Sequence, residues 1–165
     1  MLVEVPPAEP VVGAWRRRYT YDAPRGIPAH VTLLFPFVPA ERLTAETEER
    51  LATLIGETQA FDVTFARSAR WPALLYLEPE PATPFSALTE ALAAAWPDHP
   101  PYEGVHDEVI PHLTVAESGD ESLLEGIAAE IEPQLPLELR VHEAQLYVED
   151  GAGRWHEQRR FRLAA

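Results

Sequence analysis

The chain contains no cysteine. That absence excludes a disulfide framework, a thiolate nucleophile and any zinc–thiolate site. Lysine is also missing: all 13 basic residues are arginines, against 27 Asp and Glu, and the formal net charge is −14. So acidic a chain is a poor match for a long nucleic-acid backbone, where several cationic contacts normally supply the affinity. A DNA partner is not expected. A nucleotide or short RNA end asks only for a local pocket, which can oppose the global field. No run approaches the roughly 18 apolar residues of a membrane span. The opening Met-Leu-Val-Glu-Val-Pro-Pro lacks the basic-then-apolar pattern of a secretory leader. The expectation is a monomeric cytoplasmic protein with no membrane partner. There is also no Gly-x-Ser-x-Gly elbow to present a serine nucleophile for acyl transfer.

What is present is enough for one domain. At 165 residues and 46% hydrophobic, the chain can bury a substantial core. Apolar patterning predicts strands over 2–5, 30–37, 61–65, 73–77, 112–116 and 155–163, and one or two strands over 137–148. It predicts helices over 11–18, 44–55, 83–96 and 122–131. Thr44 reads as an N-cap, and Thr83-Pro84 reads as a cap followed by proline in the first turn. The Pro- and acid-rich segment 97–111 suggests a boundary between lobes of about 1–100 and 101–165, with exchange of strands between them.

Two short segments carry the chemistry: His30-Val31-Thr32-Leu33 and His112-Leu113-Thr114-Val115, each preceded by proline and set about half a chain apart. Side chains alternate across a strand, so His and Thr at i and i+2 share one face while Val31 or Leu113 turns to the core. Two such strands related by a pseudo-twofold put two imidazoles and two hydroxyls around one cleft. That set suits phosphodiester cleavage without a metal. One neutral imidazole takes a proton from the attacking water or hydroxyl, and the other, protonated, gives one to the departing oxygen. Threonine hydroxyls can donate to the phosphoryl oxygens as charge develops.

These segments, with the wider contexts Ile27-Pro28-Ala29-His30-Val31-Thr32-Leu33-Leu34-Phe35-Pro36-Phe37 and Val109-Ile110-Pro111-His112-Leu113-Thr114-Val115-Ala116, resemble the signature of the 2H phosphoesterase superfamily. That superfamily includes the 2'-5' RNA ligase / RNA 2',3'-cyclic phosphodiesterase group. The resemblance implies an α+β fold, bilobal by duplication, with two antiparallel sheets flanking a central cleft and helices outside. It implies action on 2',3'-cyclic phosphate ends or 2'-5' linkages of a nucleotide or short RNA, reversible ligation included, with no cofactor. It further implies His30 as proton donor, His112 as proton acceptor, and Thr32 and Thr114 as phosphate ligands. Pseudo-symmetry lets the two roles swap with substrate orientation. The contrasting reading is a non-catalytic nucleotide or RNA-end binding module with the same cleft.

Phe37, Tyr102, Tyr147 and Trp71 are candidates to stack on a base, with core packing the commoner fate of such residues. Arg16, Arg17 and Arg18 read as the solvated end of the first helix, where cations suit the dipole. Arg159, Arg160 and Arg162 flank Phe161, so at most one face of that strand presents arginine inward. His99, His142 and His156 read as surface residues. His106, Asp107, Glu108 and His112 match no metal-ligand spacing, and no metal is expected.

Overall fold

The computed structural model describes residues 1–105 and 109–165. Its elements are, in chain order, β1 (Leu2–Glu4), α1 (Glu9–Tyr19), β2 (His30–Thr32), α2 (Ala45–Gly56), β3 (Phe61–Trp71), β4 (Leu74–Glu80), α3 (Thr83–Ala95), β5 (Leu113–Glu117), α4 (Glu121–Ile131), β6 (Leu137–Val141), β7 (Glu143–Glu149) and β8 (Trp155–Arg162). Local chemistry explains most helix starts. Thr44 caps α2 by accepting from the Thr47 N–H, and Asp120 caps α4 by accepting from the N–H groups of Ser122 and Leu123. For α3 the cap position falls on Ala82 rather than Thr83, whose side chain caps nothing. Thr83 and Pro84 instead occupy the first two helical positions, where a missing N–H costs no intrahelical bond.

The strands form two four-stranded antiparallel sheets, ordered β2-β1-β7-β8 and β5-β4-β3-β6. Each motif strand lies at the edge of its sheet, beside the strand that opens its half of the chain. The repeat is therefore strand, helix, motif strand, helix: β1-α1-β2-α2 is matched by β4-α3-β5-α4. The two sheets exchange strands across the chain. A tight turn at Pro72-Ala73 keeps β3 beside β4 in the second sheet, while β7 returns to pair with β1, Leu2 opposite Gln145. Each sheet thus draws strands from both halves of the sequence.

The expected strand 30–37 ends at Thr32. Its partner β1 supplies ladder positions only as far as the pair Leu2–Thr32, and the N–H groups of Leu33 and Leu34 both turn to the Met1 carbonyl. One continuous core fills the space behind both sheets. Val31 and Leu33 of the first motif and Leu113 and Val115 of the second are at most 1% exposed, as strand alternation requires. They pack with Val3, Phe65, Leu77, Phe85 and Leu146. Deleting a ring at the centre of this cluster is a direct check on the packing. Phe65→Ala is expected to cost about 3–5 kcal/mol of stability in urea unfolding, and a loss well below that would place Phe65 outside the core.

Candidate active site

Both motif histidines are held in the same way. His30 Nδ1 lies 2.8 Å from the Pro28 carbonyl oxygen, and His112 Nδ1 lies 2.8 Å from the Ile110 carbonyl oxygen. A carbonyl only accepts, so each Nδ1 carries hydrogen, and each neutral ring keeps a bare Nε2 for proton transfer. His30 Nε2 sits 3.1 Å from the Thr32 hydroxyl, which donates to it in the neutral ring. The surroundings then diverge. The His112 ring meets Trp71 and Tyr76 edge-on, with centroids 4.9 and 5.7 Å away. The His30 ring instead has the Asp22 carboxylate 3.8 Å from its Nδ1.

His30, Thr32, His112 and Thr114 line a single cavity of about 350 Å³. Two of the aromatic candidates, Tyr102 and Tyr147, reach it as well. The Tyr102 backbone N–H donates to the Phe35 carbonyl at 2.6 Å, and its hydroxyl hydrogen-bonds with Thr32. Tyr147 donates its hydroxyl to Glu4 at 2.7 Å. Phe37 does not reach the cavity. Its ring packs edge-on against Trp96, centroids 5.2 Å apart, at the margin of the core. The aromatic side chains at the cavity mouth that the patterning missed are Phe35 and Trp155, in an edge contact at 6.0 Å, together with Tyr21. Trp71 contributes only through His112.

The charged groups of the site come from an unexpected source. Arg16 is not solvated: it is 1% exposed, although its neighbours Arg17 and Arg18 are exposed. Val12 and Arg16 lie one turn apart on the buried face of α1, which packs against β5. That four-residue spacing was the available signal, masked by the run of three arginines. Arg16 donates to Asp22 at 2.7 Å, to the Pro28 carbonyl at 3.3 Å and to the Thr114 carbonyl at 2.5 Å. Asp22 and Glu117 also line the cavity.

Electrostatics follow from this arrangement. Burial first, then the Arg16 cation, lower the His30 pKa to about 4, against the opposing pull of Asp22 and the Pro28 carbonyl. Burial likewise lowers His112, with the Ile110 carbonyl opposing it. For Asp22, burial works upward but is outweighed by Arg16, His30 and the hydrogen bonds from Thr20 and Arg16, which hold the carboxyl below its usual range. Glu117 is raised by burial and by Asp22. Among the described residues no group of three or more His, Asp and Glu could hold a metal ion. The sequence candidates His106, Asp107 and Glu108 lie outside the described residues.

A family model described as "2'-5' RNA ligase superfamily" matches residues 3–153. The chain belongs to that superfamily. The fold of superfamily members is also found among solved structures. E. coli LigT complexed with 3'-AMP aligns over 99% of this chain and 96% of its own, at 20% identity and a TM-score of 0.62. E. coli LigT complexed with NADP+ covers 99% of this chain and 95% of its own, at 20% identity and a TM-score of 0.59. TT0787 of Thermus thermophilus covers 98% of this chain and 94% of its own, at 20% identity and a TM-score of 0.60. At such identities the likeness establishes the α+β architecture of two antiparallel sheets with helices outside. Among curated proteins there is no match. No helix among the described residues is long and apolar enough to cross a membrane.

Proposed function

We propose that this member of the superfamily is a metal-independent phosphodiesterase that hydrolyses a 2',3'-cyclic phosphate, or a 2'-5' phosphodiester, on a nucleotide or short RNA end. The observation that carries the reading is the meeting of His30 and His112 on one cavity, each with Nδ1 tied to the carbonyl two residues before it and each with a threonine two residues after it. Water attacks phosphorus and loses its proton to Nε2 of His112. The phosphorus–oxygen bond to the ribose breaks, and the departing oxygen takes the proton of His30 Nε2. The hydroxyls of Thr32 and Thr114 donate to the non-bridging oxygens, where charge accumulates in the transition state. A ribose hydroxyl in place of water forms a phosphodiester bond as the ring phosphorus–oxygen bond breaks, with the same two proton transfers, which is the ligating reaction.

The donor role for His30 has support in its surroundings. Asp22 is the carboxylate placed to stabilise an imidazolium, whereas the rings around His112 suit a neutral acceptor. In the unliganded cavity burial and Arg16 keep His30 neutral, and the anionic phosphodiester brings the further negative charge that favours its protonation. An aryl leaving group departs without a proton, so it separates the roles. His30→Ala is expected to keep most activity on a p-nitrophenyl phosphodiester, and His112→Ala to lose it. The opposite pattern would reverse the assignment.

Substrate size follows from charge. The cavity wall carries Asp22 and Glu117 and no arginine among its described residues, on a chain of net charge −14. Mononucleotide cyclic phosphates and short oligonucleotides ending in one are therefore expected to turn over with similar kcat/KM. The rate is expected to be unchanged by EDTA, since acid, base and phosphate ligands are all side chains. Chromatography of the phosphomonoester product checks both points. Failure on every cyclic phosphate overturns the proposal, and loss of rate in EDTA overturns its metal-independent chemistry.

A further inference from the structure

A site made by duplication is symmetric in its motifs, and something outside the motifs must distinguish acid from base. Here the asymmetry lies behind the cavity wall. One guanidinium, that of Arg16, donates to the Pro28 carbonyl, which also accepts the Nδ1–H of His30, and to the Thr114 carbonyl within the second motif. It therefore ties the backbone that leads into the first motif strand to the second motif strand itself, and the two strands belong to different sheets. Its third acceptor, Asp22, is held from the other side by the Thr20 hydroxyl at 2.5 Å and faces His30. Among the described residues nothing equivalent serves the second motif: α3, which stands before it as α1 stands before the first, contains no arginine.

We infer that Arg16 and Asp22 are positioning residues of this site: Arg16 fixes the separation of the two motif strands, and Asp22 supports the imidazolium of His30 and so makes it the donor. The inference deepens the phosphodiesterase reading and rests on it. Neither residue exchanges a proton with the substrate. When His30 Nε2 gives its proton to the leaving oxygen, the Nδ1–H stays with the Pro28 carbonyl, and Asp22 remains ionised against Arg16. The charged and titratable groups facing His30 among the described residues are Arg16 from α1, Asp22 from the loop after it, and the Met1 amino group just before β1, which burial lowers to about 5.

Asp22→Asn keeps the shape of the side chain and removes its charge. The expected result is a fall in kcat on adenosine 2',3'-cyclic phosphate of about tenfold or more, since stabilisation of the acid is lost. KM should change little, and activity on the p-nitrophenyl diester should be kept. Equal losses on both substrates would reduce Asp22 to a structural part and overturn the inference. NMR titration of the imidazole carbons gives a readout independent of turnover. The His30 midpoint should move down in Asp22→Asn while that of His112 stays, and an unmoved His30 overturns the inference even if the enzyme is active. Conversely, a wild type without turnover but with the His30 shift overturns only the phosphodiesterase reading. Arg16→Met should impair both substrates, with partial recovery in Arg16→Lys, because an ammonium cannot reach all three acceptors at once. A folded Arg16→Met protein with full kcat would remove the strut role. Should Arg16→Met fail to fold, the Asp22→Asn measurements still decide.

Discussion

Replacing His30 or His112 by alanine is expected to lower kcat on a 2',3'-cyclic nucleotide by about 100- to 10,000-fold, the range for loss of a positioned acid or base. Each imidazole lines the cavity rather than the core, His30 on β2 and His112 immediately before β5, and the adjacent core residues Val31 and Leu113 are fully buried. Alanine at either position leaves those contacts intact. For His30 it also leaves Arg16 bonded to the Pro28 carbonyl and Asp22. The loss should therefore appear in kcat, with far-ultraviolet circular dichroism and the urea midpoint close to wild type. The double variant is expected to be little worse than either single one, because a cycle that has lost its acid gains little from keeping its base. Multiplicative losses would mean that the histidines act independently, contrary to a paired mechanism.

The second large effect is on pH dependence. The productive form carries one proton between two imidazoles, and kcat/KM reports the free enzyme. His30 is lowered to about 4 and His112 lies below its ordinary 6.5. On the acid side, kcat/KM falls as pH drops through the lower value, because both rings become protonated. On the basic side it falls as pH rises through the upper value, because neither ring is protonated. The profile should peak on the acidic side of neutrality and decline tenfold per unit, so that about a hundredfold is lost between pH 7 and pH 9. In kcat, which reports the substrate complex, the basic limb should move to higher pH, since the bound phosphodiester anion favours the imidazolium. A kcat/KM flat up to pH 8 would show that no imidazole acts as the acid.

Much of this site is legible in the amino-acid sequence, for a local reason. Strand alternation is a property of consecutive residues, so the spacing alone assigns His30 with Thr32, and His112 with Thr114, to one face. The capping of α2 by Thr44 is local in the same sense. What escapes the sequence is set by pairing between distant segments. The division of strands between lobes depends on β3 turning back on β4 and β7 reaching β1, neither of which hydropathy encodes. Phe37 is a stacking candidate only through its place just beyond the motif strand, since alternation continued from Val31 and Leu33 would turn it to the core. Once β1 ends, Phe35 faces the cavity and Phe37 packs on Trp96. Arg16 escapes because a run of three arginines at a helix end has an adequate explanation in solvent. Its burial depends on acceptors contributed by a loop and by a strand 98 residues away.

The most direct test of the central claim is a single-turnover reaction of adenosine 2',3'-cyclic phosphate with excess enzyme in EDTA, followed by phosphorus NMR. The paired-histidine account predicts that the cyclic phosphate resonance gives way to that of one phosphomonoester with wild type and persists with His112→Ala. Persistence with the wild type, or equal conversion by His112→Ala, would contradict it.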